Sequence, residues 1–177
     1  MQPIIYDVAV SADGFIAGAG SDVSSFPHAG RIVDDYRERL SGYGTVLMGR
    51  STYEFGYRFG LPPGANPYPQ ARSVVVSSTL NLPAGAEVAV QRTIDAGWID
   101  ALRKSADTPV YLCGGGVLAS AIADLGQIQI LRLKRAPIIL GEGTPLFGPL
   151  KRRLILKLEA QNDYGAGLIF QEFRVEA

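Results

Sequence analysis

Short apolar runs alternate with amphipathic segments along the first three quarters of the chain. Ile4–Val10 is rich in Ile and Val and is short enough to be a buried strand. Between residues 30 and 40, apolar residues recur at helical spacing, which predicts an amphipathic helix whose stripe consists of Ile32, Val33, Tyr36 and Leu40. The same patterns predict further strands at residues 45–48, 73–76, 88–90, 109–113 and 128–133, and helices that begin near residues 51, 94 and 117.

The last quarter of the chain has a different pattern. Leucines alternate with other residues at positions 154, 156 and 158, and a second apolar stretch covers residues 168–175 beyond a turn at residues 162–165. These two segments predict a C-terminal β-hairpin. The whole order predicts an α/β domain with a largely parallel sheet and an antiparallel edge. The length fits a single domain spanning residues 1–177.

Composition excludes several classes of protein. The 17 basic residues balance the 17 acidic ones, so the concentrated positive field of a nucleic-acid-binding protein is missing and no such partner is expected. No stretch approaches the roughly 20 apolar residues that span a bilayer, and no signal peptide is predicted. One His and one Cys are too few for the usual zinc sites, so no metal is expected. The single cysteine favours a reducing, cytoplasmic location.

Two strand-to-helix junctions are the candidate binding sites. At the first, Gly49 allows close backbone approach and Arg50 adds a charge in a bidentate fork. Ser51 and Glu54 have the spacing of a capping box, which predicts Ser51 as the N-cap of the helix. At the second junction, three glycines at residues 114–116 precede a helix N-terminus. Each junction predicts an anion site, and two on the same sheet edge suit a ligand with several phosphates.

Other polar residues near strand ends are weaker candidates. Ser77 and Ser78 follow the strand at residues 73–76, where hydroxyls can bind a phosphate or ribose, although an ordinary polar turn is the alternative. Thr93 is placed to cap the helix that begins near residue 94. The usual Rossmann fingerprint has three glycines in the pattern G-x-G-x-x-G, and it is not supported here. Two segments begin with the first two glycines, at residues 18–20 and 141–143, but Val23 and Leu146 stand where the third belongs.

Four segments, in order, resemble the dihydrofolate-reductase-like superfamily, in the branch related to the RibD C-terminal domain, the reductase of riboflavin biosynthesis. They are residues 8–18 (VAVSADGFIAG), 47–54 (LMGRSTYE), 110–116 (VYLCGGG) and 136–147 (APIILGEGTPLF). The resemblance spans nearly the whole chain. It implies a three-layer αβα fold with a mostly parallel central sheet, helices on both faces and an antiparallel C-terminal strand. It also implies a homodimer.

The same resemblance implies that NADPH binds across the sheet edge. The first junction would hold the pyrophosphate or 2′-phosphate side, the serines would line the adenosine phosphate, and the three glycines would run beside the pyrophosphate and the nicotinamide ribose. Asp13 would border the nicotinamide and the substrate together with two of the cofactor-binding residues, Ala9 and Ile16. The full cofactor-binding set is Ala9, Ile16, Gly49, Arg50, Ser51, Thr52, Ser77, Ser78, Gly114, Gly115 and Gly116.

The implied reaction is hydride transfer from NADPH to a C=N or C=O bond of a small heterocyclic or carbonyl substrate, as in dihydrofolate reductases and 5-amino-6-(5-phosphoribosylamino)uracil reductases. The proton would come from Asp35, from Asp13 or from water. Asp35 borders the apolar stripe of its helix, whereas Asp34 lies nearly opposite it; the alternative is that both are solvated acids. Two other functions stay open: an inactive nucleotide-binding or scaffold module on the same fold, and an enzyme that binds another phosphate-bearing ligand such as a flavin.

Overall fold

Ten strands and four helices form the fold over residues 1–176, the part of the chain that this computed structural model describes. The strands are β1 (Ile4–Val10), β2 (Phe15–Ala17), β3 (Thr45–Gly49), β4 (Arg72–Val76), β5 (Ala89–Gln91), β6 (Val110–Gly114), β7 (Ile130–Arg135), β8 (Thr144–Pro145), β9 (Ile155–Asp163) and β10 (Ile169–Glu176). The helices are α1 (Arg31–Ser41), α2 (Arg50–Phe55), α3 (Ala96–Ser105) and α4 (Gly116–Asp124). Short 3-10 turns cover Ala19–Ser21 and Gly56–Phe59.

Eight of the strands form one sheet in the order β5-β4-β3-β6-β1-β7-β10-β9. The pairs from β5 through to β7 are all parallel, whereas β10 is antiparallel to both of its neighbours. This arrangement confirms the expected mostly parallel sheet with an antiparallel strand at the C-terminal end. A separate antiparallel ladder joins β2 to β8.

The sheet is covered on both faces, as the α/β pattern predicted. One core cluster holds Ile99 and Leu102 of α3 together with Ile122 of α4. The other cluster contains Tyr53 of α2, and Tyr36 of α1 packs against it. Side chains of the central strands alternate between these two clusters, because successive residues of a strand point to opposite faces.

The predicted capping box at the start of α2 is wrong. The helix begins at Arg50, its N-cap is Gly49, and no side chain caps it. The Glu54 carboxylate accepts a hydrogen bond from Arg50 Nε at 2.8 Å, so it does not reach back to the backbone of Ser51. An ion pair one helical turn apart therefore replaces the capping contact.

The predicted cap of α3 is also wrong. The helix begins at Ala96, and Asp95 is its N-cap, with Oδ1 accepting from the Trp98 amide at 2.7 Å. Aspartate is among the best N-cap residues and here takes the position that was assigned to Thr93, two residues earlier. The helix consequently buries Ile99, which is fully inaccessible to solvent.

Within residues 1–176, the helices are all too short or too polar to cross a bilayer.

Candidate active site

A cavity of about 780 Å³ opens at the carboxyl ends of β3 and β6. This volume lies within the usual range of about 300–1,000 Å³ for small-molecule and cofactor sites. Both glycine junctions contribute to its walls. The predicted cofactor-binding residues that line it are Ile16, Gly49, Arg50, Ser51, Thr52, Gly115 and Gly116.

The first junction supplies polar side chains to this cavity. Arg50 donates to Glu54 from Nε and to Thr79 Oγ1 from Nη1, at 2.8 and 2.9 Å. These two contacts orient the guanidinium, whose side chain is 46% exposed. The hydroxyls of Ser51 and Thr52 belong to the same wall. Helix α2 has only six residues, so its dipole is small. The side chains of Arg50, Ser51 and Thr52 are therefore the main groups that can bind an anion at this junction.

The second junction brings backbone close to backbone. The peptide bond between Gly114 and Gly115 is cis, and Gly114 has a φ of 123°. At Gly116 an added Cβ would lie 2.4 Å from the carbonyl oxygen of Pro145, so only glycine fits between α4 and the segment around β8. The amide of Gly148 donates to the Gly116 carbonyl at 3.0 Å, which fixes that segment against the start of α4.

Arg92 is a second arginine on the wall of the cavity, and the sequence patterns did not single it out. It follows β5 and donates from Nη1 to the Leu80 carbonyl at 2.7 Å and to the Ser78 carbonyl at 3.2 Å. The sequence signal that could have identified Arg92 was its position immediately after the short strand β5. The carboxyl ends of parallel strands meet on one edge of the sheet, so a residue just beyond β5 faces the same edge as Arg50.

The two predicted serines lie outside the cavity lining. Ser77 Oγ accepts from the amides of Thr79 and Leu80, at 3.3 and 3.0 Å, and so closes the turn after β4. Ser78 is exposed on that turn. The hydroxyl that contacts Arg50 is Thr79 Oγ1. Gly114, the first of the three glycines at the second junction, is buried and also lies outside the cavity lining.

Asp13 holds a loop rather than facing either cavity described over residues 1–176. Its carboxylate accepts from Ser11 Oγ at 2.6 Å and from the Gly141 amide at 2.7 Å. These hydrogen bonds lower the pKa of Asp13 below its ordinary value. An acid that is held in its ionised form is a poor proton donor at neutral pH.

Asp35 is half-buried on α1 and lies outside both cavity linings as described over residues 1–176. It accepts a hydrogen bond from the hydroxyl of Tyr164, which follows β9. Its neighbour Asp34 is exposed and pairs with Arg37 at 3.1 Å. Asp35 therefore connects α1 to the C-terminal hairpin.

A second cavity, of about 370 Å³, lies between α1 and the sheet. It contains Ala9, the remaining member of the predicted cofactor-binding set. The other lining residues are Pro27, His28, Ile32, Val33, Tyr36, Arg37, Leu40, Lys134 and Leu168. Most of this wall is apolar, and the apolar stripe of α1 predicted from the sequence forms one side of it.

The two cavities lie on opposite sides of β1. Val8 lines the first cavity and Ala9 lines the second, because consecutive strand residues point to opposite faces. β1 pairs with β6 only at Ile4, Ile5 and Tyr6, whereas its pairing with β7 continues to Val10. The carboxyl ends of β1 and β6 therefore leave a gap, and both cavities reach β1 at the stretch that does not pair with β6.

Cys113 lies on β6 beside this gap and lines the first cavity. Its Sγ is 3.2 Å from the hydroxyl of Tyr68. The hydroxyls of Tyr36 and Tyr111 are 2.7 Å apart. Burial raises the pKa of the Cys113 thiol and of all three tyrosines, so these groups are neutral at physiological pH.

The comparison with protein families agrees with this geometry. The sequence model of the RibD C-terminal domain matches residues 2–170. The chain belongs to the RibD C-terminal domain family. The suspected branch of the dihydrofolate-reductase-like superfamily is thereby confirmed.

Two relatives in Bacillus subtilis are similar over most of the chain. The uncharacterised protein YyaP is 27% identical over 178 residues, which cover 94% of this chain and 91% of YyaP. The uncharacterised protein YwjB is 24% identical, with 93% and 92% of the two chains covered. These relatives support membership of the RibD C-terminal domain family and carry no assigned activity.

Solved structures share the fold. A putative riboflavin biosynthesis protein from Shewanella superposes with a TM-score of 0.84 at 24% identity, over 100% of both chains. A dihydrofolate reductase from Enterococcus faecalis in complex with NADP(H) gives 0.69 at 14% identity, over 99% of this chain and 97% of that one. The bifunctional deaminase/5-amino-6-(5-phosphoribosylamino)uracil reductase from Thermotoga maritima gives 0.69 at 14% identity, over 98% of this chain and 56% of that one. The chain therefore has the fold of the RibD-type and dihydrofolate reductases.

Proposed function

We propose that this protein is an NADPH-dependent reductase that transfers a hydride to a C=N or C=O bond of a small heterocyclic or carbonyl substrate. The observation that carries the proposal is that both glycine junctions open into one cavity at the carboxyl edge of the sheet. A ligand with several phosphates needs hydrogen-bond donors at more than one place in its site, and each junction supplies such a place.

The residues of this cavity fit such a cofactor. Arg50 and Arg92 supply cationic groups, and the hydroxyls of Ser51 and Thr52 add neutral donors. Guanidinium groups bind phosphates in a bidentate manner. The wall also contains apolar side chains that suit a flat ring, namely Val8, Ile16, Val76, Ile94, Cys113 and Leu118. NADPH would supply the hydride when bound, and Gly49, Arg50, Gly115 and Gly116 would hold it.

Nucleotide binding is tested by titrating the protein with NADPH and NADH while following nucleotide fluorescence. We expect tighter binding of NADPH, because a 2′-phosphate would contact Arg50. The variant Arg50→Ala should weaken NADPH binding about ten-fold, since a half-exposed charged hydrogen bond contributes about 1.5 kcal/mol. The matched control is Arg72→Ala, because Arg72 is exposed at the opposite end of β4.

Equal NADPH affinity in Arg50→Ala and wild type would remove the phosphate role of Arg50. Failure of the wild-type protein to bind either nucleotide would refute the reductase proposal and favour the scaffold alternative. Tight flavin binding without NADPH binding would favour the flavin alternative.

The proposal includes a homodimer in a reducing, cytoplasmic compartment. Strand β9 lies at the edge of the sheet, and all nine of its residues are exposed. Ile155, Leu156 and Leu158 on this strand are 49%, 40% and 49% exposed. An exposed edge strand with apolar side chains offers unpaired backbone groups to a second copy of the chain.

A further inference from the structure

A buried charge cluster lies beside the second cavity. Asp7 on β1 is completely inaccessible to solvent. Its Oδ1 accepts from Lys134 Nζ at 2.6 Å, and its Oδ2 accepts from Arg39 Nε at 2.9 Å. Acidic residues are almost never fully buried unless they are paired, and Asp7 has two cationic partners.

The cluster has two cations, Arg39 and Lys134, for the single carboxylate of Asp7. Arg39 alone neutralises the Asp7 carboxylate, so the ammonium of Lys134 is a surplus cation with a side chain only 10% exposed. Arg132, the next cation along β7, is already paired with Glu172 at 2.5 Å. A buried surplus charge is costly unless it has a function or a partner.

Lys134 is also a wall residue of the second cavity. Its Nζ lies 3.5 Å from the ring centroid of Tyr36 on α1. Among residues 1–176, the Lys134 ammonium donates one side-chain hydrogen bond, to Asp7. An ammonium has three N–H donors, so two of them are not used in this contact. The ammonium therefore retains hydrogen-bonding capacity next to the open space of the second cavity.

The charged and titratable groups around Lys134 come from three elements. Asp7 faces it from β1, Tyr36 and Arg39 from α1, and Cys113 from β6. The register partner on β10 is Phe170, which has no charge. In the β1–β7 register Lys134 lies opposite Ala9, the residue next to Val8, which lines the first cavity.

We propose that Lys134 is the proton donor of the reductase. This inference rests on the proposed function and names the acid that works at that site. The Lys134 ammonium donates a hydrogen bond to the nitrogen or oxygen of the C=N or C=O bond. The carbon receives a hydride, with its electron pair, from NADPH, and the π electrons form a new N–H or O–H bond with the proton of Lys134. NADP⁺ and the neutral lysine amine are left, and the amine regains its proton from water.

The ionisation of Lys134 suits this role. Burial lowers the pKa of its ammonium to about 8, with Asp7 acting in the opposite direction and Arg39 in the same direction. A general acid is most effective when its pKa lies near the working pH. Neither aspartate considered from the sequence is placed as well, since Asp35 lies outside both cavity linings as described over residues 1–176 and Asp13 is held ionised.

The kinetic test uses Lys134→Met and Lys134→Arg, with Lys104→Met at an exposed position of α3 as the matched control. The probes are 7,8-dihydrofolate and 5-amino-6-(5-phosphoribosylamino)uracil, each with NADPH in single-turnover experiments. Loss of a general acid typically slows a reaction by about 100-fold or more, so we expect that loss in Lys134→Met, with the NADPH Kd within about two-fold of wild type. Lys134→Arg keeps the charge beside Asp7 but cannot give up a proton, so it should not restore the rate.

The pH profile separates this role from a structural one. The wild-type rate should fall about ten-fold per pH unit above about pH 8, because the donor must be protonated. Neither Lys134 variant should show this decline. Full activity in Lys134→Arg would overturn the proposal, because a structural or purely electrostatic role needs only the charge.

A second measurement does not depend on turnover. In protein labelled with ¹³C at lysine Cε, the Lys134 resonance is identified by its absence in Lys134→Arg and followed with pH. We expect a midpoint near 8, below the ordinary value for a lysine ammonium. A midpoint above 10 would overturn the proposal even if neither probe is reduced. Absence of NADPH binding, by contrast, would refute the reductase function and leave the lysine titration unchanged.

Discussion

The contact between α4 and the segment around β8 gives the sharpest prediction for stability. In Gly116→Ala the new Cβ would lie 2.4 Å from the Pro145 carbonyl oxygen, 3.2 Å from the Gly148 nitrogen and 3.3 Å from the Leu146 carbonyl oxygen. All three are backbone atoms, so no side chain can rotate away. Restoring ordinary contact requires the segment to move by about 1 Å, and overpacking of this kind costs about 1–3 kcal/mol.

Two smaller effects modify this estimate. Displacing the segment weakens the hydrogen bond from the Gly148 amide to the Gly116 carbonyl, at a cost of about 1 kcal/mol. Alanine reduces the entropy of the unfolded chain and returns about 0.4–1 kcal/mol. We therefore expect the free energy of unfolding to fall by about 1–3 kcal/mol.

Urea unfolding followed by the fluorescence of Trp98, the single tryptophan, measures this change. With a slope of roughly 2 kcal/mol/M, the midpoint of Gly116→Ala should fall by roughly 0.5–1.5 M. The matched control is Gly49→Ala in the wall of the same cavity, because its Cβ would meet nothing closer than 3.8 Å. The control should change by less than about 0.5 kcal/mol. Equal midpoints for the two variants would refute the steric reasoning.

Three further predictions concern the loops and the sheet edge. Asp13→Asn should lower the melting temperature at pH 7 and have less effect near pH 3. The pKa of Asp13 is lowered in the folded state, so the ionised carboxylate stabilises the fold at pH 7, and this contribution is lost as the pH falls through the folded-state pKa. An equal loss at both pH values would contradict this. Gly143→Ala should lower the urea midpoint and separate β2 from β8, because its Cβ would lie 2.0 Å from the Ala17 carbonyl oxygen; an unchanged midpoint would be the contrary result. Leu158→Lys on β9 should convert a dimer to monomers in sedimentation velocity, and a dimer that persists would exclude this edge as the interface.

Local sequence patterns predicted most elements because each depends on a short repeat. The apolar run at β1 and the alternation in the C-terminal hairpin gave strands close to those observed. The glycine junctions also fell at strand-to-helix boundaries, since few other residues allow that approach. The cap of α2 was wrong, because the spacing of Ser51 and Glu54 does not reveal that Arg50 competes for the glutamate.

Long-range contacts had no comparable local signal. Lys134 and Asp7 are 127 positions apart and meet only because β7 pairs with β1. One clue was present, since an aspartate in the middle of an apolar strand requires a buried partner. The short strands β2 and β8 pair across more than 120 residues and have three and two residues each, too few to form a recognisable repeat.

The division made by β1 has a consequence for how such a protein diversifies. The two cavity linings have no residue in common among those described. Substitutions on the α1 face, such as at Ile32 or Val33, reshape the smaller cavity and leave the wall with the glycine junctions unchanged. Relatives that differ only on this one helix would therefore differ in what the smaller cavity accepts, while the ligand of the glycine junctions stays the same.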